Sequence, residues 1–280
     1  LIKMNKKNKY DLCIIGGLGH VGLPLGIVFA SEGLKVCLYD INKDVGETVT
    51  SGKLPYIEYG AEKLLKKVIK EKSLCVSYKK ESITDSKSVI ITIGTPVDEY
   101  LNPELSKFSD FINSIKDYLV GGQHIIVRSS IYPGTTRRVE KLLNTQSTKF
   151  HISYCPERIV QGYAVEELRR LPQIVSGTSQ RAVDLSYNLF KIITKNIVIT
   201  SVEEAELVKL FSNSWRYIQF ATANQFYMIS KTLGQDYHNI RDKMMEGYER
   251  AIGLPKAGFS AGPCLLKDTM QLFSFNKGQF

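Results

Sequence analysis

No apolar run in this 280-residue chain approaches the roughly eighteen residues that a membrane helix needs. The longest candidate, 23–30, is short and contains Pro24. The basic opening, with Lys3, Lys6, Lys7 and Lys9, lacks the apolar core and small-residue cleavage site of a secretion signal. Residues 10–15 run straight into glycines instead, which predicts a first strand and a cytoplasmic protein with no membrane partner. Cysteine is scarce: there are five, an odd number, and no C-x-x-C pair, which excludes a disulfide framework. Cys13, Cys37 and Cys75 sit in apolar runs, where a free thiol behaves as a small hydrophobe. The four histidines, His20, His124, His151 and His238, are scattered without an H-x-x-x-H pair, so no metal site is expected. Nine prolines and 21 glycines are too few for a fibrous or low-complexity chain, and no internal repeat is visible. Basic residues outnumber acidic ones, 37 to 28, for a net charge of +9. They form no dense aromatic–basic patch, so a nucleic-acid partner is not expected. The excess reads as a solvated surface plus a pocket for phosphates.

What is present is a 43% apolar chain, enough for a large core. Strand patterns fall at 11–15, 35–39, 74–77, 89–93, 125–128, 152–154, 174–176 and 197–200. Helical patterns lie between them at 20–31, 61–70, 108–119, 135–143 and 181–192. Such alternation predicts βαβ units and a parallel sheet. After Thr200 the rhythm changes. One long helix is expected over 202–231, with Leu207, Leu210, Phe211, Ile218 and Ala221 at helical steps. A second helix is expected over 237–246, then a glycine-rich loop over 253–263 and a helix starting at Cys264-Leu265.

The first predicted strand ends in Gly17-Leu18-Gly19-His20-Val21-Gly22, a G-x-G-x-x-G between strand and helix. Gly17 would permit a tight turn, Gly19 would let the backbone approach a pyrophosphate, and Gly22 would let the helix pack on the strand. Unpaired amides at the helix start, from His20 and Val21 onward, would face the phosphates. Asp40 closes the second strand, where a carboxylate accepts from a ribose diol and repels a 2′-phosphate. These residues predict NAD rather than NADP. The fold expected is therefore α/β: an N-terminal Rossmann-like doubly wound parallel sheet over 1–200, then an all-helical domain over 201–280. Two other strand ends point to the same edge of the sheet. Thr95 of Gly94-Thr95-Pro96 and Ser130 of Ser129-Ser130 are candidate cofactor contacts, with ordinary strand-end hydroxyls as the alternative.

Lys209 and Asn213 are four apart on the long helix and share a face. An ammonium beside an amide suits a developing oxyanion. A solvated ion pair of Lys209 with Glu206 is the other reading. Cys264 begins a helix after a run of small residues, where a thiol meets the positive end of the dipole. Asp268 follows one turn on, a charge that needs a partner, with Lys267 as one choice. A buried structural cysteine is the alternative.

Together, the segments 17–22, 94–96, 129–136, 155–158, 209–213 and 262–268 resemble the UDP-glucose/GDP-mannose dehydrogenase family, from Tyr10 to the end. Pro156-Glu157-Arg158 and Trp215-Arg216-Tyr217-Ile218-Gln219-Phe220 look most like the branch acting on UDP-N-acetylhexosamines, UDP-N-acetylmannosamine above all. The resemblance implies an NAD-dependent, four-electron oxidation of a UDP-sugar C6 alcohol to the uronate. Cys264 would be the nucleophile that holds the sugar as thiohemiacetal and thioester. Lys209 and Asn213 would stabilise the oxyanion, each donor being worth roughly 2.7–4 kcal/mol, and Asp268 would orient water and relay a proton. Glu157, Arg158, Ile159, Arg216, Tyr248, Arg250 and Gly262 would contact the sugar nucleotide, guanidinium forks suiting its pyrophosphate. A homodimer through the long helix is implied as well. Phe211, Trp215, Tyr217, Phe220 and Phe226 offer more aromatic surface than one solvated helix should expose, unless they are buried within one chain.

This chain has Ala261-Gly262-Pro263 before its cysteine where the family often has adjacent glycines. It has Gln161 where some members have a second glutamate, which leaves Glu157 as a candidate to activate water. Family members continue into a third domain, so the chain is expected to be a piece of a longer enzyme. UDP-glucose or UDP-N-acetylglucosamine remain alternative substrates. A one-step β-hydroxyacid or 6-phosphogluconate type dehydrogenase and an inert NAD-binding fragment are the rival functions.

Overall fold

The computed structural model describes residues 8–95, 97–98, 104–259 and 264–276. They fall into two compact units. The described residues up to Leu207 form the first, apart from 97 and 98, which group with the residues from Val208 on.

The first unit is an eight-stranded sheet in the order β3-β2-β1-β4-β5-β6-β7-β8. Its strands are β1 (Tyr10–Ile15), β2 (Val36–Tyr39), β3 (Leu74–Ser77), β4 (Ser86–Ile91), β5 (His124–Val127), β6 (His151–Tyr154), β7 (Gln173–Gly177) and β8 (Ile197–Ile199). Its helices are α1 (Gly22–Ser31), α2 (Lys43–Thr50), α3 (Ala61–Lys70), α4 (Glu81–Thr84), α5 (Leu105–Ile115), α6 (Thr135–Leu143), α7 (Ala164–Arg170) and α8 (Gln180–Phe190). The chain reverses its direction of winding between β1 and β4, the switch point at which doubly wound sheets open a ligand crevice.

Helix α1 is apolar all round and buried from Gly22 through Ala30, as a helix with no polar face must be. It can lie this close to β2 because Gly26 has no side chain: a Cβ there would stand 2.5 Å from Leu38 Cδ2. Helix α3 packs on α1, turning Ala61, Leu65 and Val68 fully inward and leaving its lysines outside. The central strands β1, β4 and β5 supply Leu12, Ile14, Ile90 and Ile126 to the core, all fully buried.

Every predicted strand is present within a few residues. The expected all-parallel sheet is corrected at one place: β6 and β7 run antiparallel, with Ser153 opposite Gly177 and Tyr154 opposite Ser176. The 155–172 connection does not cross to the far end of the sheet. Helix α7, which it contains, packs on α1, so the chain re-enters from the carboxyl end. Helices α2, α4 and α7 were not legible as periodic patterns. They are short, and α2 is announced only by its cap, where Asn42 Oδ1 accepts from Val45 N at 3.1 Å.

The second unit contains α9 (Val202–Thr232) from Val208 on, α10 (Tyr237–Met245) and α11 (Cys264–Phe275). A loop that ends near Gly258 is tied to two of these helices. Asn224 exchanges two hydrogen bonds with the Gly258 backbone, at 3.0 and 2.8 Å. On α10, Tyr237 Oη donates to Pro255 O at 3.0 Å and Arg241 Nε to Leu254 O at 2.7 Å. On α9, Leu210 is fully buried, but Phe211 and Ile218 are 54% and 42% exposed. Among the described residues no helix is long and apolar enough to cross a membrane.

Candidate active site

The glycine turn shows why each glycine is there. Gly16, not Gly17, takes the left-handed conformation, with φ +76°, so the tight turn rests one residue earlier than the motif implied. Gly17 is required by packing: a Cβ would lie 2.8 Å from Leu38 Cα and Ile14 O. Gly22 is required for the same reason, 2.5 Å from Gly16 O. Gly19 differs, since its Cβ would meet only Gly16 O, at 3.4 Å, and the residue is exposed. That open side is where a ligand can approach the backbone. His20 and Val21 precede α1, and among the described residues their amides donate to no protein acceptor. Thr92, unnoticed in the sequence, braces the turn by donating to Ile15 O and Gly16 O at 2.8 and 3.1 Å.

Asp40 faces this turn. Its Oδ2 accepts from Leu18 N at 3.0 Å, and its Oδ1 accepts from the amides of Ile41 and Asn42 at 2.8 and 3.1 Å. The carboxylate is thus held at the rim of a cavity of about 470 Å³ lined by Gly16, Gly19, Asp40, Thr92, Ile93 and Phe111, among others. Thr95 and Ser130 meet at the end of the same sheet, Thr95 Oγ1 donating to Ser130 O at 2.5 Å. An open glycine and a braced carboxylate on one cavity, with the unpartnered His20 and Val21 amides next along the chain, fit a dinucleotide that carries a free ribose diol.

The Glu157 carboxylate is committed rather than free. It is buried against the fully buried Arg128 guanidinium, and its Oε1 accepts from Arg158 N and Ile159 N at 2.6 and 3.0 Å. Arg128 also donates to Cys155 O at 3.0 Å and Gln173 Oε1 at 2.9 Å. Glu157 therefore anchors the 155–159 segment, and a water-activating role does not suit it. Arg158 donates to Pro172 O, and Ile159 is half-buried. The expected solvated Glu206 is corrected: it is 1% exposed and clamps the start of α6, accepting from Gly134 N, Thr136 N and Thr136 Oγ1. Burial pushes its carboxyl up despite those three donors.

In the second unit Cys264 is the first residue of α11 and is exposed, which removes the reading of a buried structural thiol. Asp268, fully buried one turn on, accepts from Asn213 Nδ2 at 2.6 Å. This bond ties α9 to α11 and makes Asn213 the partner that the charge needed. Lys209 is half-buried one turn before Asn213. Arg216 is exposed on α9. Tyr248 and Arg250 are exposed beyond α10, with the guanidinium 5.6 Å from the Tyr248 ring centroid. Gly262 and Pro96 lie outside the described residues.

Two residues near the cofactor turn carried no sequence signal. Tyr56 Oη donates to Gly19 O at 3.0 Å, and Glu58 is buried against backbone amides of Gly162 and Val165. Burial, and then the charge of Glu58, push the Tyr56 phenol up, so it stays a donor.

A doubly wound sheet with this turn, cavity and acidic strand end defines a dinucleotide-binding protein, joined here to a helical unit bearing an exposed thiol. The chain belongs to the UDP-glucose/GDP-mannose dehydrogenase family. Residues 10–194 match the model of its NAD binding domain and residues 203–279 that of its central domain. Membership makes NAD the cofactor of the first unit. A UDP-N-acetyl-D-mannosamine dehydrogenase from Pyrococcus horikoshii is 32% identical over 270 residues, which are 94% of this chain and 64% of the relative. A solved structure of the UDP-D-ManNAc dehydrogenase from that organism superposes with a TM-score of 0.88 at 30% identity, covering 96% of this chain and 65% of the other. A UDP-glucose dehydrogenase from Pyrobaculum islandicum shares the fold, with a TM-score of 0.84 at 24% identity over 98% of this chain and 65% of the other. The chain thus spans somewhat less than two thirds of the relatives it matches.

Proposed function

We propose that this chain carries the NAD-binding part, 1–200, and the helical catalytic part, 201–280, of a nucleotide-sugar 6-dehydrogenase, with UDP-N-acetylmannosamine the favoured substrate. The observation that supports this best is the pairing of α9 with α11. The Asn213–Asp268 bond holds the helix that bears Lys209 against the helix that opens with an exposed Cys264. NAD, when bound, supplies a two-electron hydride acceptor, needed twice per sugar. Cys264 would hold the aldehyde from the first oxidation by forming a C–S bond at C6. The resulting thiohemiacetal gives up its C6 hydrogen as hydride and its hydroxyl proton, two electrons and two protons in all, to become a thioester. Water then cleaves the C–S bond, giving the uronate and returning the thiol. Lys209 and Asn213 would face the negative oxygen at C6, and Asp268 would keep the Asn213 amide turned to that task. Arg158, Arg216, Tyr248 and Arg250 would contact the sugar nucleotide, with Ile159 and Gly262 beside it.

The exposed face of α9 supports a homodimer, since Phe211 and Trp215 are 54% and 62% exposed one turn apart. The activity test uses NADH release with a panel of UDP- and GDP-sugars. Wild type should yield two NADH per UDP-N-acetylmannosamine. Cys264→Ser should lose net uronate formation by a factor of a hundred or more, the order expected when a nucleophile is lost. Full turnover by Cys264→Ser at one NADH per sugar would instead identify a one-step dehydrogenase.

A further inference from the structure

Between α2 and α3 the chain runs through 51–60 without a helix or strand, yet its polar groups are committed at two places. At one, Tyr56 Oη donates to Gly19 O at 3.0 Å, and the His20 ring lies on the Tyr56 ring with centroids 3.9 Å apart. At the other, Glu58, 5% exposed, accepts from Gly162 N and Val165 N at 3.1 and 3.2 Å. Tyr59 N adds a bond to Gly162 O at 2.8 Å, and the Tyr59 and Tyr163 rings lie 5.1 Å apart. The first place is the glycine turn. The second follows directly on Glu157, Arg158 and Ile159.

We propose that 53–60 is a strap through which dinucleotide binding at the glycine turn steadies the 157–165 segment, with Tyr56 and Glu58 as its positioning residues. The proposal rests on the NAD reading of the turn. In a trans peptide the carbonyl and the following N–H point in opposite directions. Gly19 O accepts from Tyr56 Oη and, at 3.0 Å, from Leu23 N, so Tyr56 helps keep the His20 N–H pointing the opposite way within the peptide plane, the direction left open for phosphate. A ligand bound to the amides of His20 and Val21 restrains that peptide and hence Tyr56. Only Ile57 separates Tyr56 from Glu58, too short a stretch to absorb a displacement. A cavity of about 440 Å³ beside Lys53, Tyr56, Glu58 and Tyr59 gives the strap room to shift without repacking the core. Coupling of this kind is reciprocal, so a ligand on the 157–165 segment would tighten NAD in turn.

Hydrogen–deuterium exchange read by mass spectrometry on the full chain, with and without saturating NAD, tests this. In wild type, NAD should slow exchange of the 157–165 peptide severalfold. Tyr56→Phe, which removes one hydroxyl and keeps the ring, should weaken NAD about three- to tenfold, the worth of one hydrogen bond. It should also lose the slowing at 157–165 when saturated, while still melting in a single cooperative transition in the absence of NAD. Glu58→Gln should bind NAD within about twofold of wild type, a change below half a kcal/mol, and lose the same response. Equal slowing in wild type and Tyr56→Phe overturns the strap, as does a wild type that binds NAD with no change at 157–165. A wild type that binds no NAD overturns the cofactor reading along with it.

Discussion

Gly17 and Gly19 look interchangeable in a motif, but a methyl group added to each would meet different surroundings. At Gly17 it would press on backbone atoms of β1 and β2 that cannot move away. Gly17→Ala should therefore cost about 2 kcal/mol of stability, the range of an overpacked core, and lower the thermal midpoint with or without ligand. At Gly19 it would touch a single carbonyl at ordinary contact distance, on the ligand side. Gly19→Ala should melt with wild type but bind NAD at least tenfold more weakly in calorimetric titration, since the pyrophosphate would lose its close approach. Asp40 was legible in the sequence because its role depends only on closing the second strand. Arg128 was not: its four-way contact with Cys155, Glu157, Gln173 and the Phe190 ring joins strands far apart in the chain.

At the scale of elements, a buried histidine shows how the sheet stores sensitivity to acid. His124 starts β5 and is 3% exposed, with Nε2 3.1 Å from Ser153 Oγ and 3.0 Å from Ser186 Oγ. Burial, and then the neighbouring charges of His151 and Arg181, push its imidazole down to about 3. The unfolded chain takes up this proton near pH 6.5 and the folded chain does not. Stability is therefore intact above pH 6.5 and falls by up to about 1.4 kcal/mol per pH unit as the pH drops toward 3. At pH 5 the loss from this group should be about 2 kcal/mol relative to pH 7. His124→Gln should flatten that part of the acid slope in urea denaturation midpoints. An unaltered slope would show that other groups set it. Periodicity located β5 and its neighbours because buried parallel strands are short apolar runs. It missed the antiparallel β6–β7 pair because strand direction depends on where the connection lies, and a run of apolar residues carries no direction.

For the whole molecule, the question is what covers α9. Phe211, Trp215 and Ile218 lie along one face and are more than two-fifths exposed, whereas Leu210 and Asn213 are buried. If that face meets a second copy, the double variant Phe211→Asp and Trp215→Asp should sediment as a monomer at micromolar concentration, where wild type sediments as a dimer. Its melting temperature should become independent of protein concentration. A wild type that is already monomeric would remove the dimer from the proposal.

The sequence by itself determined the order of the strands and of the longer helices, the glycine turn with its acidic partner, and the family. Each is a local pattern: spacing, apolar period, or a short motif between two elements. The tertiary structure alone decided that Glu157 is spent on Arg128 and that Glu206 clamps α6 rather than meeting solvent. It also decided that Asn213 is the partner of Asp268, and that Tyr56 and Glu58 tie the cofactor turn to a segment a hundred residues away. A buried charge takes whichever partner the fold brings within hydrogen-bond reach. That proximity arises from packing between elements, which no period or spacing along one chain can encode.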